Sequence, residues 1–396
     1  MTTIEGEVAP QFAAVKEAFA ANFADRDEVG AAVAVYKDGV KVVDLWGGIA
    51  DQDSGRAWAE DTMQVTFSTT KGATAACAHL LAQRGELDYD APAAEYWPEF
   101  KQNGKENIPV RWLLSHRSGL PAIDAVLTPQ DLFAWDPIVD ALAAQKPYWE
   151  PGTKHGYHAL TYGYLVGEVI RRISGKSVGQ FFRDEIAGPL GVDYYIGLPP
   201  ELEARVGKLI TFSFGPTAEQ REAMGDFDIN SLPEEIRAMA AAFLDPDSLS
   251  LKALNLVEPA IDFNSAEMHR AEMPAANGIG TARGLARMYA SFVGEVDGIR
   301  TLNDKTIANA RTEQSVGPDA ILIRDTRFAL GFMIDSADVP FLGPNAFGHD
   351  GAGGFLAFAD PDANVGFSYV MNKMATSITA ADPRAQALVN AVRGSL

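Results

Sequence analysis

Along the chain the hydrophobic positions change period twice. Near the start, Pro10 to Phe23 carries apolar residues at helical spacing. Two apolar, β-branched runs, Ala31–Tyr36 and Val40–Trp46, then flank Lys37-Asp38-Gly39. An Asp-Gly turn between such runs predicts a β-hairpin. Val65-Thr66-Phe67 is a short apolar approach to Ser68. Beyond it Ala73, Ala76, Cys77, Leu80 and Leu81 form one helical stripe that Gly85 ends. From about Ala91 to Ala271 helical patches are joined by Pro- and Gly-bearing loops. Thr161–Ile173 and Val178–Ile186 are the clearest helices there, whereas Leu202–Leu256 shows little alternation. The last third returns to strands. A helix over Ala282–Val293 precedes apolar runs at Phe328–Ile334, Phe355–Ala359 and Val365–Met371, and a helix from Asp382 to Val392 closes the pattern.

Strands at both ends and helices between them predict an α/β chain of the α+β type. One antiparallel sheet is made from both ends and flanked by helices, with a mostly helical domain inserted. The expected division is residues 1–85 with 275–396 for the sheet domain and 86–274 for the helical one. Residues 200–270 are expected to be the variable, pocket-forming part.

Composition narrows the function classes. The chain has 396 residues, is 47% hydrophobic and carries a net charge of -20. That is globular composition, and the charge repels phosphate, so no nucleic-acid partner is expected. Membrane insertion is not expected either, because the most apolar stretch, Gly72–Ala82, is too short to span ~30 Å of hydrocarbon. The single cysteine, Cys77, excludes an internal disulfide and any zinc site built from several thiolates. With no basic and apolar leader at Met1–Glu7, a cytoplasmic location is expected.

Two motif matches are decoys. Gly175-Lys176-Ser177-Val178-Gly179 fits G-x-S-x-G, but a helix precedes it where a nucleophile elbow needs a strand. His79 lies on an apolar helix and reads as a core histidine. Ser68-Thr69-Thr70-Lys71 is the better candidate. Residues three apart share a helix face, so Lys71 sits beside Ser68. The first turn of the helix favours developing negative charge, and burial lowers a lysine pKa toward that of a useful base. The same four residues also fit a plain helix cap with a solvated Lys. Tyr157, in the loop Pro151–Ala159, can supply a phenol. His349-Asp350-Gly351-Ala352-Gly353-Gly354 can bring a backbone N–H to an oxyanion, or can be a hairpin turn.

In this order, these segments resemble the serine β-lactamase-like superfamily, most of all family VIII carboxylesterases and class C β-lactamases. Ser68–Lys71 looks like the S-x-x-K element, Tyr157–Ala159 like the tyrosine box and His349–Gly351 like the K-T-G or H-x-G box. Leu113–Pro121 and Gly278–Ala286 are similar to flanking stretches of the family. The resemblance covers roughly 28–195 and 275–372 and is poor from about 200 to 270. It implies a β-lactamase/penicillin-binding-protein-like fold and a Ser68 nucleophile with Lys71 and Tyr157 as general-base pair. It also implies an oxyanion hole of the Ser68 and Ala352 N–H groups, with Gly353 as the other alignment for the second donor. His349, Gly351 and Gly353 would bind substrate. Phe133, Trp135 and Phe355 are expected as pocket walls from their apolar character.

Ala159 stands where a β-lactamase carries Asn, and His349 where it carries Lys. Both departures, and the acidic chain, point to neutral esters of short-to-medium acyl chains, hydrolysed without metal or organic cofactor. The alternatives are β-lactam, D-peptide or amide hydrolysis, acyl transfer on the same fold, or a non-catalytic binding protein. The oligomeric state, monomer or homodimer, is left open.

Overall fold

The structure is a computed structural model, and it describes residues 2–211, 231–232, 234–245, 247–375 and 381–396. The N-terminal part builds β1 (Ile4–Val8), α1 (Ala13–Asp25), β2 (Gly30–Lys37), β3 (Val40–Asp51) and the short β4 (Arg56–Ala57) and β5 (Gln64–Val65), followed by α2 (Thr70–Gln83). The middle is mainly helical. It includes α3 (Thr161–Ser174) and one short strand, β6 (Tyr194–Tyr195). The C-terminal part adds β7 (Ile279–Gly280), α4 (Ala282–Val293), β8 (Ser315–Pro318), β9 (Asp325–Phe328), β10 (Met333–Ile334), β11 (Phe347–Gly351), β12 (Phe355–Asp360), β13 (Val365–Met371) and α5 (Pro383–Gly394).

The main sheet runs β1-β3-β2-β13-β12-β11-β10-β9-β8, with β4 on β3, and every pairing is antiparallel. The expected mixed architecture, with an antiparallel sheet drawn from both chain ends, is therefore present. The junction is β2 against β13, from Ala31↔Met371 to Lys37↔Val365. The β2–β3 hairpin turns on Asp38 and Gly39, both at positive φ, as a tight two-residue turn requires. A second small sheet joins β5, β7 and β6.

The central strands β12 and β13 are buried along their whole length. α4 lies against β13, β2 and β12, while α1 packs on α5 and touches β1 and β3. Gly366 in β13 lets α4 approach: a Cβ there would lie 2.3 Å from Ala286 O and 2.5 Å from Ala290 N. α2 is buried on all sides from Thr70 to Leu81, which fits its Ala- and Gly-rich sequence and its place against α3.

Several local expectations change. The run Phe328–Ile334 is not one strand: β9 ends at Phe328 and β10 starts at Met333, because Gly331, at φ +79, turns the chain between them. Val178–Ile186 is helical throughout as expected, but it is α-helix only to Phe182 and widens into a π-helix over Arg183–Ala187. β1 and β8 carried too little apolar alternation to be read as strands.

Candidate active site

Ser68 sits in a single 3-10 turn, Phe67–Thr69, that leads directly into α2. The turn is pinned on both sides. Thr66 N donates to Gly278 O at 2.9 Å, Gly278 N donates to Thr70 Oγ1 at 2.8 Å, and Thr70 Oγ1 donates to Phe67 O at 2.5 Å. Phe67 is held at φ +46, a conformation that costs a non-glycine residue ~1–3 kcal/mol. Its ring packs on Phe263 and Phe355, which offsets part of that cost. Ser68 is the partly exposed residue in an otherwise buried stretch from Thr62 to Leu81.

Lys71, one turn on, is fully buried. Its Nζ lies 3.2 Å from Ser68 Oγ, 2.7 Å from Ala159 O and 3.0 Å from Ala275 O. Burial drives its pKa well below the usual lysine value, against the pull of the Asp350 carboxylate. A neutral amine has two N–H groups and one lone pair. In that form the two carbonyls can take the N–H groups and leave the lone pair to Ser68 Oγ, whereas an ammonium donates to all three.

Tyr157 is delivered by a loop that its neighbours brace. Its N–H donates to Asp319 Oδ1 at 3.0 Å, and its ring stacks on Phe328 with centroids 5.8 Å apart and planes 9° apart. Lys71 Nζ stands 4.7 Å from the ring centroid. Burial pushes the phenol well above its ordinary pKa, and a hydrogen bond with Ser68 pulls the other way. His158 supports the same loop. Its Nδ1–H donates to Gly156 O (2.6 Å), and its Nε2 accepts from Leu120 N (3.1 Å) and lies 2.8 Å from Ser118 Oγ. Burial lowers this imidazole to about 3, so it is a neutral strut.

β11 reaches the Ser68 turn at Gly351, where a Cβ would lie 2.6 Å from Thr66 O. The chain then turns through Ala352, Gly353 and Gly354 before β12. An open cleft lies over these elements, with Ser68, Tyr157 and the Gly351–Gly354 turn on its wall. Its apolar lining includes Phe67, Leu254, Phe263, Leu322, Phe328 and Phe355. Three charged residues also line it: Arg324, Asp350 and Asp382, with Arg324 Nη2 and Asp350 Oδ2 3.9 Å apart.

The structure thus brings Ser68, Lys71, Tyr157, Gly351, Ala352, Gly353 and Phe355 to one cleft. Three expected contributors are elsewhere. Phe133 does not border the cleft. Trp135 sits at the N-cap of the helix Asp136–Ala144, packs at a tilt against Tyr164 and donates its Nε1–H to Glu168 Oε2 (2.9 Å), because a buried carboxylate draws the indole inward. His349 is 1% exposed and stands behind Tyr157, its Nδ1 held 2.6 Å from Asp350 O. On an antiparallel strand neighbouring side chains face opposite ways, so Asp350 takes the wall position instead. Leu254 and Phe263 come from the expected pocket-forming region. Asp319 and Arg324 were not legible as site residues, since a single Asp and a single Arg in a loop carry no spacing signal.

The decoys resolve as structural. Ser177 caps the helix Val178–Phe182 through a capping box with Gln180, after Gly175 ends α3 at φ +69. His79 lies 2.6 Å from Tyr89 Oη and 2.9 Å from Leu330 O inside the core. Among the described residues, no group of three or more His, Cys, Asp or Glu side chains is placed to hold a metal ion. No helix among them is long and apolar enough to cross a membrane.

Known proteins share this fold. The beta-lactamase family model matches residues 15–391. Esterase/beta-lactamase LipL of Mycobacterium tuberculosis is 37% identical over 382 residues, which are 95% of this chain and 85% of LipL. The solved structure of a family VIII carboxylesterase is 38% identical, covers 100% of both chains and has a TM-score of 0.83. A penicillin-binding protein homolog from Caulobacter crescentus is 37% identical, with 100% of both chains covered and a TM-score of 0.85.

Proposed function

The chain belongs to the beta-lactamase family, and from that membership we propose that it is a serine carboxylesterase acting on neutral esters of short-to-medium acyl chains. The observation that carries the reading is Lys71 Nζ 3.2 Å from Ser68 Oγ at the wall of a mainly apolar cleft. A serine hydroxyl becomes a nucleophile when a base within hydrogen-bond reach takes its proton.

Ser68 Oγ attacks the ester carbonyl as its proton passes to the lone pair of the Lys71 amine. Tyr157 and Lys71 act as one base pair. The phenol gives its proton to the departing alcohol, and Lys71 then returns the serine's proton to the phenolate. Water reverses the sequence and releases the acid. Burial favours the phenol over the phenolate and the amine over the ammonium, which supports the amine as the first acceptor. The N–H groups of Ser68 and Ala352 hold the oxyanion, and loss of one such donor typically costs ~10²–10³ in rate.

The substrate class follows from what faces the cleft. Ala159 has no amide to offer a substrate, and its carbonyl is engaged with Lys71. His349 is buried behind Tyr157, with its pKa lowered by burial, so it presents no cation to a carboxylate. A cytoplasmic setting is part of the same reading; the one cysteine, Cys77, is free and buried.

The test compares kcat/KM for p-nitrophenyl esters from acetate to octanoate with that for a chromogenic cephalosporin. The expected result is ester turnover well ahead of the cephalosporin, with both lost in Ser68→Ala. Faster cephalosporin turnover would reassign the enzyme to β-lactam chemistry on the same acyl-enzyme.

A further inference from the structure

The turn after β11 is wired to a buried charge cluster drawn from both chain ends, and we infer that Arg384 is a positioning residue for the oxyanion hole. This rests on reading the Ala352 N–H as an oxyanion donor. The turn's own hydrogen bond, from Gly354 N to Gly351 O, closes it but does not fix it against the rest of the molecule. Gly353 and Gly354 sit at φ +90 and +112, where only glycine is at ease, and glycine adds the freedom that any fixed donor must lose.

Arg384 supplies the missing constraint. The residue is 4% exposed, yet its guanidinium donates in several directions. Nη2 donates to Asp382 Oδ2 (2.6 Å) and Gly353 O (3.1 Å). Nη1 donates to Lys373 O (2.8 Å) and Glu28 Oε1 (3.2 Å). Glu28 also accepts from the Tyr369 hydroxyl. The planar fork of an arginine makes such a multi-point hold directional.

The consequence passes along the backbone. Gly353 O is held from two sides, by Arg384 and by Ala375 N at 2.8 Å. In a trans peptide the C=O and the next N–H point in opposite directions. Fixing Gly353 O therefore aims the Gly354 N–H back across the turn, where it meets Gly351 O at 3.0 Å. Fixing Gly351 O in turn aims the Ala352 N–H outward from the turn. Nothing in this relay orients the Gly353 N–H, which favours Ala352 over Gly353 as the donor. A buried ion cluster is a weak source of stability, because desolvation offsets the attraction. Its worth here is the orientation of one peptide. Arg384 does not itself border the cleft.

The experiment uses Arg384→Met and Arg384→Lys, with each preparation counted by active-site titration, and compares a p-nitrophenyl ester with the thionoester in which sulfur replaces the carbonyl oxygen. Sulfur is a poor acceptor, so a working oxyanion hole favours the ester. The expected wild-type enzyme discriminates strongly against the thionoester. Arg384→Met is expected to lose about 10- to 100-fold in kcat per titrated site, with KM little changed, and to narrow that discrimination, whereas Arg384→Lys recovers part of both. Discrimination that stays at the wild-type value in both variants overturns the role of Arg384. A wild-type enzyme that does not discriminate refutes the oxyanion reading itself, and with it the proposal. If Arg384→Met does not fold, Arg384→Lys carries the same comparison. A merely structural arginine would lower the titre of active sites and leave kcat per site and the ester preference unchanged.

Discussion

Burying an ammonium is costly unless a partner compensates it, and the hydrogen-bond partners of Lys71 are two backbone carbonyls and Ser68. The folded chain meets that cost by favouring the amine. The Asp350 carboxylate opposes this, its charge pulling the Lys71 pKa back up. Replacing Asp350 with Asn removes this pull, so the Lys71 ammonium becomes still less stable. The acid limb of the kcat/KM profile, where activity is lost as Lys71 gains a proton, should move to lower pH in Asp350→Asn. A pH–rate profile of both proteins checks this, and a shift to higher pH would contradict the assignment of that limb to Lys71. Asp350 also raises the Tyr157 phenol, so the same variant eases deprotonation of both Lys71 and Tyr157.

Among the elements, α4 and β13 show how closely the backbone packs under the site. Gly366→Ala would set a Cβ against two backbone atoms of α4, Ala286 O and Ala290 N, neither of which can swing aside. Overpacking of this kind typically costs ~1–3 kcal/mol, so the thermal midpoint should fall by several degrees. An unchanged midpoint would mean that α4 does not pack on β13 as described. The elements that the sequence made legible are those with enough residues to show a period: the β2–β3 hairpin, α2, α3, α4 and β13. β1 was missed because Glu5 and Glu7 leave only its ends apolar, as suits an edge strand with one partner. β10 is two residues long, too short for any alternation to appear. Ser68, Lys71 and Tyr157 could be read because each lies in a patterned segment. Asp319, which holds the Tyr157 backbone, and Arg384 could not. Their roles exist only once segments more than 150 residues apart, or at opposite chain ends, have come together. Trp135 misled the reading for the opposite reason: its apolar character was visible, but the buried Glu168 that claims its indole was not.

At the level of the whole molecule, the sheet brings the two chain ends side by side and hangs the site at their junction with the helical middle. Ser68 comes from the N-terminal part, Tyr157 from the middle and the glycine turn from the C-terminal part, with Gly278 and Ala275 bonding back to the Ser68 turn and to Lys71. The cleft exists only when all three parts are folded, so activity should report the whole fold and not any one segment. The most direct measurement of the account is covalent capture. Wild-type enzyme treated with a fluorophosphonate probe and mapped by peptide mass spectrometry should carry one adduct, on the peptide containing Ser68, with ester hydrolysis lost in proportion. An adduct on another residue, or undiminished hydrolysis by Ser68→Ala, would contradict it.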